Sequence, residues 1–345
     1  MFEIAILILL VIATVITGSY TGLIAKGVDR KIGAYFQARI GPPIRQPFWD
    51  LKKLMIKQTI IPENAVKWVY EGAPLLCLAS SVLLLVYIWV PYFLLLSGMD
   101  NSFFLKSGDL ILIIYLLLIP AIALIIGGFS AGSPLSTIGA QREMVILIAT
   151  ELPIAIAIVT IAWKMNFLAP GYEPFAIGTV ASHPFWSGMG PLGIMGGMLL
   201  VFTFMIIIPA EVAKIPFDQS EAESEIAEGL LSEYSGKHLA FFQLGESVKA
   251  IAVVSLAVVL FFPHSFTALT GYRVVPLGVD ITLVVDIIFF LFKVFIVYTV
   301  SISLIRVSMA RFKISQVSQV FIYILSIVSL SGFLLIYLDP SILVM

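Results

Sequence analysis

Eight apolar stretches, set apart by loops that carry most of the charge, constrain this chain more than anything else in it. They fall at about 2–24, 74–97, 109–129, 144–163, 191–210, 248–268, 280–305 and 316–338. Each can cross the hydrocarbon of a bilayer as a helix, for which about 20 residues suffice. Lipid offers no water to a bare N–H or C=O, so a spanning segment must be a helix or part of a closed barrel. The alternation of a barrel strand is absent. The expected fold is an all-α membrane protein of about eight transmembrane helices, with an amphipathic cytoplasmic segment after the first, in a single integral membrane domain over residues 1–345. Composition agrees, because 60% hydrophobic and 12% charged residues leave too little polar surface for a soluble domain of this size. The first stretch has no basic leader and no small-residue cleavage site, and it reads as a retained helix.

Charge gives the expected orientation. Sixteen of the 20 lysines and arginines fall in alternate loops, nine of them between the first two stretches. Arg142, the Lys214–Lys249 region and Arg306, Arg311 and Lys313 supply the rest. The opposite side holds only Lys106, Lys164 and Arg273, while Lys293 lies within a stretch. By the positive-inside rule this is a multi-pass cell-membrane protein with both termini outside and the long charged loops, about 25–73 and 211–247, in the cytoplasm. One cysteine, Cys77, excludes a disulfide framework, a Cys-ligated zinc site and an iron–sulfur cluster held by this chain alone. No cofactor or metal is expected in the chain, and nothing points to nucleic acid. A free-standing secondary ion transporter is the alternative from another functional class. The lack of a broken-helix pair in matching halves weakens it.

The loop after the fifth stretch holds the densest chemistry. Glu211, Asp218, Glu221, Glu223, Glu225, Glu228 and Glu233 crowd into 23 residues, among Ile215, Phe217, Ile226, Leu230 and Leu231. A charge run is usually a solvated loop, but these apolar neighbours would pack and desolvate the acids. Glu221, Glu225 and Glu228 fit helical spacing and are expected on one face. Clustered, desolvated carboxylates suit proton exchange. Glu143 and Glu151 extend the set into the membrane, eight residues and about two turns apart. An acid at that depth faces a cavity or a partner. Neutralisation of Glu151 by Arg142 or another basic group is the structural alternative. Asp286 and Lys293 are either a bridged structural pair or further relay sites. His238 beside the acidic loop reads as a surface histidine, with titration near neutrality the other possibility.

The first long loop turns at Gly41-Pro42-Pro43. After it Phe48, Leu51, Leu54 and Met55 alternate with Asp50, Lys52, Lys53 and Lys57 in the pattern of a membrane-surface helix. Lipid binding and a basic docking platform for a soluble subunit (Arg39, Arg45, Asp50, Lys53, with Lys214 from the other loop) both fit.

The stretch Glu211–Tyr234 resembles the signature loop of the quinone-site membrane subunit of respiratory complex I, known as subunit 1 and in bacteria as the H subunit. Glu211, Pro216, Phe217, Asp218, Glu221, Glu223, Ser224, Glu225, Glu233 and Tyr234 fall in register with it. The first loop matches through Arg39, Gly41, Pro42, Gln46, Pro47, Asp50, Lys53, Leu54 and Lys57. Arg142, Glu151, Lys293, Arg306, Arg311 and Lys313 extend the match along the chain. The compact G-P-P-x-x-Q-P turn is more similar to the homologous subunit of archaeal membrane-bound group 4 nickel–iron hydrogenases and of sulfane sulfur reductase. Lys214, Gln58 and Ser315 depart from the residues usual in complex I. The resemblance implies a non-catalytic membrane-anchor subunit without a redox centre. It would dock hydrogenase-like and iron–sulfur subunits on the cytoplasmic side and lie beside other membrane subunits, antiporter-like ones included, in the lipid bilayer. Iron–sulfur clusters, and in a hydrogenase nickel–iron, belong to those partners. The whole would be a ferredoxin-linked oxidoreductase that couples redox chemistry to proton or ion movement along the carboxylates.

Overall fold

A computed structural model describes residues 2–98, 109–227, 229–271 and 281–343. Eight helices among them are long and apolar enough to cross a membrane. They are α1 (Phe2–Phe36), α3 (Lys67–Ser97), α4 (Leu110–Ser130), α5 (Pro134–Leu168), α7 (Pro191–Glu211), α8 (Gly236–Phe261, apolar to Thr270), α9 (Thr282–Ser308) and α10 (Ile314–Tyr337). Two short helices, α2 (Gln46–Ile56) and α6 (Ile177–Ser182), lie in the connections. No strand occurs among the described residues.

α8 is the hub. In its most apolar window 89% of residues are buried, against 28–56% in the other seven spans. A helix apolar on all sides belongs inside a bundle, and α8 packs on α3, α1, α2, α9 and α7. Trp89 on α3 donates to the Ser255 hydroxyl at 2.9 Å, and Tyr92 to the Pro263 carbonyl at 2.9 Å, so buried polar tips are satisfied across the seam. α9 and α10 each contain a π-helical segment, Thr299–Leu304 and Val320–Leu325, on either side of the loop that carries Arg311.

Without a hydrophobic force between helices in lipid, close backbone approach does much of the work. α7 and α10 meet at Gly196 and Gly332, where a Cβ on Gly196 would stand 2.6 Å from the Gly332 carbonyl oxygen. Gly196→Ala must therefore part the two helices, at a cost of about 1–3 kcal/mol. A lower melting temperature in detergent is the expected result, and an unchanged one would contradict the contact.

Several helices outrun their sequence-based boundaries, α3 starting at Lys67 and α5 spanning Pro134–Leu168 among them. α1 runs on to Phe36 and α8 begins at Gly236, so residues assigned to loops are helical. α2 forms as expected, with Phe48, Leu51 and Leu54 half-buried, but Met55 stays exposed. His238 is no surface histidine: it is half-buried, edge-on to Tyr70 with ring centroids 5.7 Å apart.

A buried carboxylate network as the candidate functional site

The loop between α7 and α8 folds back onto the helix ends. Phe217 packs its ring 4.9 Å from Phe321 and 5.8 Å from Phe312. The Gln219 amide donates to the carbonyls of Pro216 at 2.8 Å and Phe312 at 3.0 Å. Tyr234 stacks on Tyr70 at 4.1 Å, and the Tyr70 hydroxyl donates to the Glu233 carbonyl at 2.7 Å. Gly139 on α5 lets the loop touch the helix, because a Cβ there would lie 2.4 Å from the Leu230 nitrogen and 2.8 Å from the Ser220 oxygen. Arg311 grips the loop from the α9–α10 turn, donating to both Asp218 oxygens at 2.7 and 2.6 Å and to the Ser224 hydroxyl at 3.0 Å. Bidentate guanidinium–carboxylate contacts fix orientation as well as distance.

The expected shared face of Glu221, Glu225 and Glu228 does not form. A 3-10 turn (Gln219–Glu221), a one-turn helix (Glu223–Ile226) and a second 3-10 turn (Gly229–Leu231) replace one continuous helix, and Ala227 is left-handed at φ 47°. Contacts to α5 and to the α9–α10 turn outweigh helical spacing here. Glu225 points outward and pairs with Arg142 at 2.5 Å, and Glu223 is exposed. Glu228 lies outside the described residues.

What the fold assembles is a series of acids running inward. Glu221 hydrogen-bonds Glu246 of α8, and its field reaches Glu143 of α5. Glu143, 5% exposed, hydrogen-bonds Ser220 and interacts with Glu211. Glu211, at the end of α7, interacts in turn with Glu151. Glu211 Oε2 lies 3.1 Å from the Lys249 ammonium, with both side chains almost fully buried, and Thr150 donates to Glu211 Oε1 at 2.9 Å. Glu143 Oε2, Glu151 Oε1 and Glu246 Oε1 are buried without a hydrogen-bond partner. Buried polar atoms are seldom left so, and those that are call for a functional explanation. Arg142 does not neutralise Glu151, since it is engaged by Glu225 and the Gln219 carbonyl.

A basic flank adjoins the acids. Lys26, Val212, Lys214, Glu246, Ser247, Ala250 and Tyr298 line a cavity of about 10 Å³, room for a single water. Lys214, half-buried, thus lines this cavity beside Glu246. Burial alone would lower its ammonium, but Glu246, Glu221 and Asp29 outweigh burial and hold it above the usual lysine value. Burial first, and then the Glu246 carboxylate, push the Glu221 carboxyl well above the usual carboxylate range. Buried Asp29 of α1 pairs with Arg306 of α9.

The Glu221 shift has a pH consequence. Its raised value means the folded chain keeps a proton that the unfolded chain releases, so stability falls as pH climbs above the ordinary glutamate range. Glu221→Gln keeps the neutral form at every pH. We expect the variant to melt higher than the parent at about pH 8 and to converge with it at or below about pH 4.3, the ordinary glutamate value. A melting difference that is flat with pH would contradict the assignment.

The remaining sequence-derived sites lie apart. Asp286 accepts from the Thr267 backbone N–H at 3.0 Å and its hydroxyl at 2.7 Å, while Lys293 donates to the carbonyls of Phe262 at 2.6 Å and His264 at 2.8 Å. Both hold the 262–267 segment through these contacts. Glu233 serves through its carbonyl. Arg39, Arg45 and Lys53 are exposed, as are Ile40, Trp49, Ile56 and Trp68. Asp50 is engaged by Arg30 at 2.7 Å and Gln46 at 2.9 Å; burial acts to raise its carboxyl, but these contacts prevail and hold it below the usual range. No group of three or more His, Cys, Asp or Glu residues placed to hold a metal occurs among the described residues.

Sequence reasoning missed Glu246, Lys249, Asp29 and Lys26 as site residues. Lys26 and Asp29 are three residues apart in α1 and Glu246 and Lys249 three apart in α8, and opposite charges at helical spacing beside an apolar run are the signal that could have found them.

The chain is similar to known proteins in sequence and in fold. Residues 4–337 match the NADH dehydrogenase family. The H subunit of NADH-quinone oxidoreductase from Syntrophotalea carbinolica is 31% identical over 265 residues, covering 73% of this chain and 74% of the relative. Hydrogenase-4 component C of Escherichia coli is 32% identical over 237 residues, covering 69% and 70%. A chain in the structure of the membrane-bound sulfane sulfur reductase, an archaeal respiratory membrane complex, superposes with a TM-score of 0.77 at 24% identity, covering 96% of this chain and 99% of that one. The fold, the family match and the sequence relatives agree, and the chain belongs to the NADH dehydrogenase family, alongside the H subunits of NADH-quinone oxidoreductases.

Proposed function

We propose that the chain is the membrane-anchor and coupling subunit of a multisubunit ferredoxin-linked oxidoreductase. In this reading it carries no redox centre. Soluble hydrogenase-like and iron–sulfur subunits dock on its cytoplasmic face, and antiporter-like membrane subunits lie beside it. The observation that carries the reading is the inward series Glu246, Glu221, Glu143, Glu211, Glu151, each within electrostatic reach of the next. Three buried carboxylate oxygens with no protein partner along this series suit proton exchange better than a purely structural anchor.

The chemistry follows from charge. Reduction of a centre held by a docked subunit adds negative charge beside the loop. Nearby carboxylates then hold protons more tightly. Glu221, hydrogen-bonded to Glu246, responds first and passes the change to Glu143 and onward. Exposed Arg39, Arg45 and Lys53, with Ile40, Ile56 and Trp49, supply the mixed basic and apolar surface that a soluble arm requires. The positive-inside asymmetry supports the cytoplasmic placement of this face and outward termini.

Affinity purification of the tagged chain from its own membranes tests this. We expect it to bring down iron–sulfur and hydrogenase-like subunits, and the chain stripped of them to show no visible-range cofactor absorbance. A chain that purifies alone and moves ions by itself in vesicles would establish the secondary-transporter reading instead.

A further inference from the structure

The carboxylate series has an interruption at Glu211. Its Oε1 is taken by Thr150 and its Oε2 by Lys249, whereas Glu143 and Glu151 on either side each have a buried oxygen with no partner. As the chain stands, both oxygens of the central acid are engaged, whereas Glu143 and Glu151 each keep one without a protein partner. Lys249 is the group that pairs with Glu211. It comes from the buried hub α8, and the field of its ammonium reaches Glu143 and Glu151 as well as Glu211. A lysine is suited to exchange between such partners. Its ammonium is compact, carries three rotatable donors and sits on a flexible stem, unlike the rigid fork of an arginine.

We propose that Lys249 is an ion-pair switch: it holds Glu211 in the observed conformation and swings to Glu143 or Glu151 during turnover, opening Glu211 to a proton. The proton then travels from Glu143 to the released Glu211 and on to Glu151, and the return of the ammonium closes the path. Each step is a proton transfer between carboxylates, so no oxidant or reductant is needed at this position. Lys249 acts as a positioning residue for the relay, and the inference rests on the relay reading above.

The test uses the whole complex in sealed vesicles, with a trapped pH-sensitive dye and, in parallel, radiolabelled sodium, scored as ions moved per electron. Lys249→Arg keeps the charge and the pairing but grips Glu211 with a bidentate fork. We expect normal assembly and a several-fold loss of ions per electron, because the switch is held shut. The Lys249→Met/Glu211→Gln double variant removes both charges and leaves none unpaired. It is expected to assemble and to remain uncoupled. A merely structural counterion predicts coupling at the parental value in Lys249→Arg, and that result would overturn the switch; the double variant reports on assembly, since without Glu211 the relay is broken in either case. Glu151→Gln run alongside separates the two ideas. If it pumps normally, the relay reading itself fails, whereas loss in Glu151→Gln with normal coupling in Lys249→Arg sinks the switch alone.

Discussion

Lys249→Met is expected to destabilise the chain more than any other single substitution at the carboxylate network. The Lys249 and Glu211 side chains are 4% and 2% exposed and 3.1 Å apart. Removing one member of a buried pair leaves the other charge without water or a counterion, which typically costs about 3–5 kcal/mol. That is a large share of the roughly 5–15 kcal/mol on which most domains rest. Thr150 gives Glu211 one hydrogen bond, too little to replace a counterion. The variant should therefore assemble poorly and melt well below the parent in detergent. Adding Glu211→Gln should recover most of the loss, since no uncompensated charge then remains. A Lys249→Met chain as stable as the parent would mean that the pair is not closed in the membrane.

Much of the architecture was open to reading from the residues. Eight apolar stretches required eight helices, and the crowd of acids after Glu211 marked the segment that closes over the helix ends. Glu143 and Glu151 stood out because an acid inside an apolar run has few bland explanations. The resemblance through Pro216-Phe217-Asp218 and Glu225 pointed to the family that the known relatives bear out.

What escaped did so for two physical reasons. Hydropathy ends a helix where charge begins, but a helix of 35 residues such as α1 is about 52 Å long at 1.5 Å per residue and outruns a hydrocarbon layer of about 30 Å. Lys26 and Asp29 were thus assigned to a loop when they belong to α1, and Glu246 sat before a helix that in fact starts at Gly236. The second reason is tertiary contact. Spacing placed Glu221, Glu225 and Glu228 on one helical face, but the helix is broken at extended Ala222, between Glu221 and Glu225. Glu221 turns inward to Glu246, and Glu225 turns outward to Arg142. Only the positions of α5, α8 and the Arg311 turn decide that division. None of them is local to the loop.

Glu151→Gln bears on the central claim, that protons or ions move through these acids. Glutamine is nearly isosteric with glutamic acid and stays neutral, so the half-buried site on α5 keeps its packing. Glu151 Oε1 has no partner to lose. What disappears is the exchangeable proton at the inner end of the series, beyond Glu211. Soluble-arm turnover with an artificial electron donor should persist, because those centres belong to docked subunits. The measurement is ion accumulation per electron in sealed vesicles, normalised to assembled complex, for the parent and Glu151→Gln. The account predicts full assembly, retained donor oxidation and collapse of ion accumulation. Reduced assembly with unchanged ion movement per assembled complex would contradict it and leave Glu151 a structural residue.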